Sequence, residues 1–252
     1  INWTENGVRT GDGETDLTTA NLVAQWNFNE TSGTTATSGG SCGTSCNGTL
    51  TNMTTTGQDV AVNSGWTANN KKWGAGALMF DGTDDYVSVP DSADYDFGTG
   101  DFAVGLWMRI PNDTTSKSVI GNRMSTSTDD HWNLEFYTTT NRLEWHTSAT
   151  IVGTSLSTIP VGKWTYVVIT RTAGVDKFYI NGINTSSFND TFNYNNGGPL
   201  YIGRDPNSSV GYFNGNMDNI QIYKGRSLTA DEILSNYQAG NVQLQTRTGT
   251  DD

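Results

Sequence analysis

Asp81, Asp84 and Asp85 fall within five residues of one another in GALMFDGTDDYVSVP (Gly76–Pro90), between two apolar runs, ALMF and YVSV. Carboxylates this close repel, and two kinds of chemistry would relieve the repulsion. A hard divalent cation such as calcium takes several oxygen ligands and offsets the clustered charge. Alternatively, Asp81 and Asp84 accept hydrogen bonds from nearby N–H groups and cap a tight turn, with Asp85 left in solvent. The spacing is not that of an EF-hand, since no D-x-[DN]-x-[DN]-G run with a terminal Glu is present.

Glu135, Glu144 and His146 form a second group with catalytic residue types. They fall on the two arms of an expected hairpin, WNLEFYT and RLEWHTS around TTTN. Glycoside hydrolysis uses paired carboxylates, one as acid and one as nucleophile or base. Both glutamates also alternate with apolar residues, as ordinary solvent-facing positions do, and the reading adopted is non-catalytic. His131 and His146 stand in no Gly-x-Ser-x-Gly context, so a nucleophile-elbow triad has no support.

Sugar recognition would use exposed rings that cover the C–H faces of a sugar, flanked by polar partners. Trp132, Tyr137, Trp145 and Tyr212 are candidates. Trp145 shares strand parity with Leu143 and belongs in the core; Tyr137 shares parity with Glu135 and should be exposed. The loop LYIGRDPNSSVGYF (200–213) adds Arg204, Asp205 and Asn207 as a binding rim. The expected sugar-contacting set is therefore Trp132, Tyr137, Arg204, Asp205, Asn207 and Tyr212. Trp26, Phe28, Trp107, Trp164 and Tyr166 lie in strong strands and are expected to pack.

Cys42 and Cys46, in SCGTSC, are the only cysteines. They make either a short disulfide in an oxidising compartment or two free thiols, and the Gly/Ser surroundings of a tight exposed loop favour the disulfide. No second Cys or His pair completes a zinc site. The formal net charge is −12, with 14 Lys and Arg. That balance disfavours nucleic acid and anionic membrane surfaces, whose binding rests on basic residues. A cation or a neutral polar ligand suits it better. No apolar run approaches a membrane span.

The elements that must position these residues are β-strands. Eight Trp, ten Tyr and nine Phe supply core, Gly numbers 29, and Asp outnumbers Glu, a turn-rich rather than a helical composition. Alternating runs occur at Leu22–Phe28, Asp101–Ile110, Lys163–Arg171, 199–203 and 213–223. KFYINGIN carries Asn181-Gly182 between apolar residues, the strongest short hairpin signal. Thr31–Gly65 is polar and reads as a long loop pinned by the cysteines. One helix is expected over Leu228–Gly240, with Thr229 and Glu232 at capping-box spacing and a Leu228–Ile233 staple. Many short strands with Gly/Asn/Asp turns predict an all-β, two-sheet antiparallel sandwich with one short C-terminal helix. The domain is placed at 21–240. Residues 1–20 read as a linker or edge segment, and 241–252 as a linker or the start of a following element.

The serial phrases LVAQWNFNE, GALMFDGTDDYVSVP, GDFAVGLWMRIP, KWTYVVITR, KFYINGI, YIGR and GNMDNIQIYKGRSLTADEI resemble the laminin G-like, concanavalin A-like lectin/glucanase jelly-roll domains of extracellular proteins. The resemblance covers about Leu22 to Gly240. It implies a jelly roll acting as a carbohydrate-binding or adhesion module of a larger surface protein, with a glycan or extracellular protein as partner. The rival is a structural repeat that pairs with neighbouring copies of itself and has no ligand of its own. The glucanase strand motif of alternating Glu and Asp is missing. The resemblance also sets the FDG strand beside the GNMDN strand. That would bring Asp218 to Asp81 and Asp84, with Gly82 or Asn216 supplying carbonyls to a structural calcium.

Overall fold

The computed structural model describes residues 19–111, 117–123, 130–147, 150–195, 197–206 and 211–239. Most of both flanks, 1–18 and 240–252, therefore lies outside the described residues.

The alternating runs fold as strands because each can bury one face while its backbone pairs with neighbours. In chain order these are β1 (Leu22–Trp26), β2 (Thr35–Ala36), β3 (Ser38–Gly39), β4 (Gly48–Thr51), β5 (Gly65–Thr67) and β6 (Ala77–Asp81). Then come β7 (Tyr86–Val89), β8 (Phe102–Arg109), β9 (Lys117–Gly121), β10 (Asn133–Tyr137), β11 (Arg142–Thr147) and β12 (Thr150–Thr154). The last are β13 (Thr165–Thr172), β14 (Val175–Ile180), β15 (Ile183–Asn189), β16 (Leu200–Ile202) and β17 (Asn214–Lys224), followed by the helix α1 (Ala230–Ala239).

The first sheet runs β15-β14-β13-β8-β17-β1-β3, with β6 on β17 and β5 on β6; the second runs β12-β11-β10-β9-β16-β7-β4-β2. Ladders between strands are antiparallel, giving the jelly-roll sandwich that the sequence predicts. Asn181 and Gly182 take φ of 52° and 81°, the doubly left-handed turn that joins β14 to β15.

Thr31–Gly65 departs from expectation. It is not a surface loop: β2 pairs with β4 in the second sheet, and β3, beginning two residues after β2 ends, pairs with β1 in the first. One short segment thus closes that side of the sandwich. Cys42 and Cys46 are joined by a disulfide, and Trp26 Nε1 donates to the Cys46 carbonyl at 3.0 Å. On the opposite side β12 and β15 meet, with the Phe188 ring lying where a side chain at Gly153 would stand.

Between the sheets, aromatic rings stack in series. Phe97 lies 4.4 Å from Phe102 and 5.2 Å from Trp132, and Trp132 lies 5.3 Å from Trp145. At one margin of this core the fully buried Arg171 guanidinium donates to the carbonyls of Gly98, Phe192 and Asp190 and pairs with the Asp190 carboxylate at 2.8 Å. Asp190 accepts from the Tyr194 hydroxyl, which accepts from Trp145 Nε1. Burial, and then Asp190 beside it, push the Asp176 carboxyl far above the usual range.

The helix covers part of the outer face of the first sheet. Ile233 and Leu228 are buried with Trp107 and Tyr166, and Tyr237 stacks on Trp107 at 5.9 Å. The capping box forms as expected: Thr229 N donates to Glu232 Oε2 at 2.8 Å, and Glu232 N to Thr229 Oγ1 at 3.3 Å.

Candidate ligand-binding face of the second sheet

Cross-strand partners share a face, so the register assembles the outer surface of the second sheet residue by residue. Tyr201 pairs with Ser88 on one side and Gly121 on the other; Gly121 pairs with Asn133, and Asn133 with His146. Glu135 pairs with Ser118 and Glu144. Leu134, Phe136, Leu143 and Trp145, of opposite parity, fill the core.

At one end of this face three half-buried tyrosines gather. Tyr86 lies 6.0 Å from Tyr201 and 6.4 Å from Tyr212, and the Arg204 guanidinium sits 4.6 Å over the Tyr86 ring. The next residue, Asp205, turns the other way into a carboxylate cluster. It accepts from Arg123 Nη1 at 2.8 Å and lies 3.5 Å from Asn133 Nδ2, which also donates to Glu135 Oε1 at 2.7 Å. His146 Nε2 stands 3.0 Å from Glu144 Oε2 and 3.7 Å from Glu135 Oε2. Burial pushes the Glu135 carboxyl above its ordinary value; His146 opposes this and Asp205 adds to it.

Glu135 and Glu144 are therefore not ordinary solvent-facing positions, being only 4% and 8% exposed. Of the expected sugar contacts, Arg204, Asp205 and Tyr212 come to this face, Asp205 being buried as Arg123's partner. Tyr137 is exposed at the hairpin end, opposite Arg142. Asn207 lies outside the described residues. Trp132 is corrected outright: it is fully buried in the ring stack, its Nε1 donating to the Tyr95 carbonyl at 2.9 Å. Tyr86, Tyr201, Asn133 and Arg123 are added. Polar-face parity marks Tyr86 and Tyr201, but their proximity depends on the pairing of β7 with β16, which are far apart in the chain.

The acidic turn lies elsewhere. Asp81 Oδ1 accepts from Thr83 N at 2.7 Å, which is the capping bond that a tight turn requires, and Asp85 Oδ2 accepts from Asp81 N at 3.0 Å. Asp85 is 1% exposed, not solvated, and its Oδ1 makes no hydrogen bond of normal geometry among the described residues. Burial first, then Asp81 and Asp84, push this carboxyl up to about 6. The three carboxylates bring oxygens within 4.8 Å of one another, close enough to share one ion whose ligands sit at 2.3–2.6 Å.

Asp218 does not join them. The expected pairing of β6 with β17 forms, but Asn214 is the residue opposite Asp81, and Asn216 is opposite Met79. Asp218 lies four residues further, about 13 Å along the strand. There it is fully buried and accepts from the backbone N–H groups of Lys72 and Trp73 at 2.8 and 3.0 Å. Gly82 remains in the turn, packed against Asn214; Asn216 belongs to a different surface.

A family model described as "Concanavalin A-like lectin/glucanases superfamily" matches residues 81–234, more than half of the chain. No curated protein matches. Among solved structures, a Trypanosoma rangeli sialidase in complex with 2,3-difluorosialic acid superposes with TM-score 0.64 at 14% identity, covering 92% of this chain and 36% of that one. The chain thus spans about a third of that sialidase's length. Domain 4 of AbnA, a GH43 extracellular arabinanase from Geobacillus stearothermophilus, in complex with arabinotriose, gives 0.60 at 20% identity, covering 86% of this chain and 98% of that one. The binding domain of botulinum neurotoxin serotype G gives 0.58 at 15% identity, over 86% and 51%. At these identities the structures are similar in fold.

Proposed function

The chain belongs to the concanavalin A-like lectin/glucanase superfamily, and on that footing we propose that it is a non-catalytic, extracellular carbohydrate-binding module. Its glycan would lie on the outer face of the second sheet. The observation that carries this reading is one continuous sheet face on which half-buried Tyr86, Tyr201 and Tyr212, with Arg204, adjoin the Asn133–Glu135–Glu144–His146 cluster. Rings supply contact for sugar C–H surfaces, and the guanidinium and rim groups supply hydrogen bonds. The superfamily includes lectins, and one similar domain is recorded with arabinotriose. The disulfide supports an oxidising, extracellular setting.

Binding without hydrolysis is favoured by the carboxylate geometry. Glycosidase carboxylates flank the scissile bond with the substrate between them. Here one imidazole nitrogen contacts both Glu135 and Glu144 on adjacent strands and takes that space. A glycan array probed with the chain and with Tyr201→Ala tests the reading. Binding about tenfold weaker in the variant is expected, the size typical of losing a central aromatic contact. No glycan bound by the parent chain, or undiminished binding by the variant, would sink it. Reducing-sugar release that Glu135→Gln abolishes would show an enzyme instead.

We also propose a structural calcium at Asp81, Asp84 and Asp85, supported by three carboxylates whose oxygens lie within 4.8 Å of one another, with that of Asp85 buried. The pH dependence has a definite sign. Asp85 sits near 6 in the folded chain against an ordinary 3.8, so its contribution to stability is full below about pH 4 and is lost as pH rises through 6. With chelator present, melting temperature should fall over this window, and Asp85→Asn should flatten the fall. Millimolar calcium should raise the melting temperature at neutral pH and much less in acid, since an ion that binds the folded state stabilises it. An unchanged melt at neutral pH would leave the turn with its capping role alone.

A further inference from the structure

The outer face of the first sheet, on the other side of the sandwich from the tyrosines, holds a pocket of about 200 Å³ beyond the helix-covered patch. Asn216 of β17 stands between Met79 of β6 and Arg109 of β8, all three on the face opposite the core residues Met217, Leu78 and Met108. Asn63, Asn70 and Asn214 complete its polar wall, and Val62, 88% exposed, stands at its mouth. Arg109 is held in place, its Nε donating to the Gly162 carbonyl at 3.1 Å and its Nη1 to Asn70 Oδ1 at 3.0 Å. Asn216 is 7% exposed, and its buried Nδ2 has no hydrogen-bond partner among the described residues. Although the chain carries a net charge of −12, no acidic side chain lines this pocket among the described residues.

We propose that this pocket is a second ligand site, taking a single neutral sugar residue. Each carboxamide offers both donors and an acceptor, and so does a hydroxyl. Four amides around one cavity, that of Asn70 already accepting from Arg109, can therefore meet adjacent ring hydroxyls as donors and acceptors, with no carboxylate in the lining. Met79 and Val62 provide apolar contact for the C–H edge. The volume equals about seven water molecules, enough for one ring but not for a chain. The choice of a sugar over another neutral polar molecule rests on the carbohydrate-binding reading given above.

Two sites on opposite faces make each copy bivalent. An extended glycan would lie on the second sheet while a terminal residue of a separate chain enters the amide pocket. Tethering both multiplies the overall affinity with no new contact.

The experiment is a ¹H–¹⁵N titration with the methyl glycosides of glucose, galactose and arabinose, following the side-chain amides of Asn70, Asn214 and Asn216. Saturable shifts are expected in the parent chain and equally in Tyr201→Ala. In Val62→Trp, an exposed substitution that fills the mouth without touching the core, binding should weaken at least tenfold; Asn216→Ala should weaken it similarly. No amide shift with any of the three sugars, or shifts unaffected by Val62→Trp, would overturn the second site. If the pocket is silent while Tyr201→Ala still abolishes array binding, only this inference falls. If array binding survives Tyr201→Ala and is lost in Val62→Trp, the second-sheet site falls and the pocket stands.

Discussion

Leucine in place of Arg171 is expected to lower folding stability by about 3–5 kcal/mol, the usual cost of breaking a buried charge pair from one side. The substitution keeps most of the volume but removes the guanidinium N–H groups that donate to the Gly98, Phe192 and Asp190 carbonyls. Asp190 and Asp176 then remain in a fully buried site without their cation. A domain is commonly stable by only about 5–15 kcal/mol, so the urea midpoint should drop by a large fraction. An unchanged midpoint would mean that the ladder and the aromatic core hold this margin without the ion pairs.

Alanine at Trp132 is the second large effect, again about 3–5 kcal/mol, from the cavity left by the largest side chain. The indole lies between Phe97 and Trp145, and its loss strands the Tyr95 carbonyl as well. This result separates the two roles considered for the residue. As a sugar contact, Trp132→Ala would lose glycan binding at unchanged stability; as a core ring, it destabilises the whole domain, which chemical denaturation measures.

Trp132 also shows what was legible in the sequence. Parity placed Trp145 inside and Tyr137 outside, and both hold, because side chains alternate strictly along a strand. The same parity sets Trp132 with Leu134 and Phe136, which is where the structure puts it, so the sugar-contact expectation ran against the alternation of its own strand. The capping box and the Asn181-Gly182 turn were readable because their chemistry is local. Register was not. The pairing of β6 with β17 was foreseeable, but the offset that puts Asn214 rather than Asp218 opposite Asp81 depends on tertiary geometry. The β17 strand also slips against β8 between Asp218 and Gln221, where Asn219 takes φ of 45°. The candidate site was half visible: Glu135, Glu144, His146, Arg204, Asp205 and Tyr212 could be named. Their union with Tyr86 and Tyr201 requires the non-sequential order β7-β16-β9-β10.

The closure of the sandwich bears on how the chain behaves in a crowded solution. An open sheet edge offers unpaired backbone groups on which another chain can polymerise, and natural proteins often guard such edges with lysine. This chain is poor in lysine. Instead, Thr35–Ala36 and Ser38–Gly39 end one side of the two sheets with strands of two residues each, joined through Thr37, and the branch on β6 ends in the three-residue β5. On the far side β12 and β15 lean on each other through Phe188 and Gly153, and β15 is largely Asn, Thr and Ser. Among the described residues these edges thus offer short templates for fibril growth, a guard built into the architecture that acts beside the net negative charge.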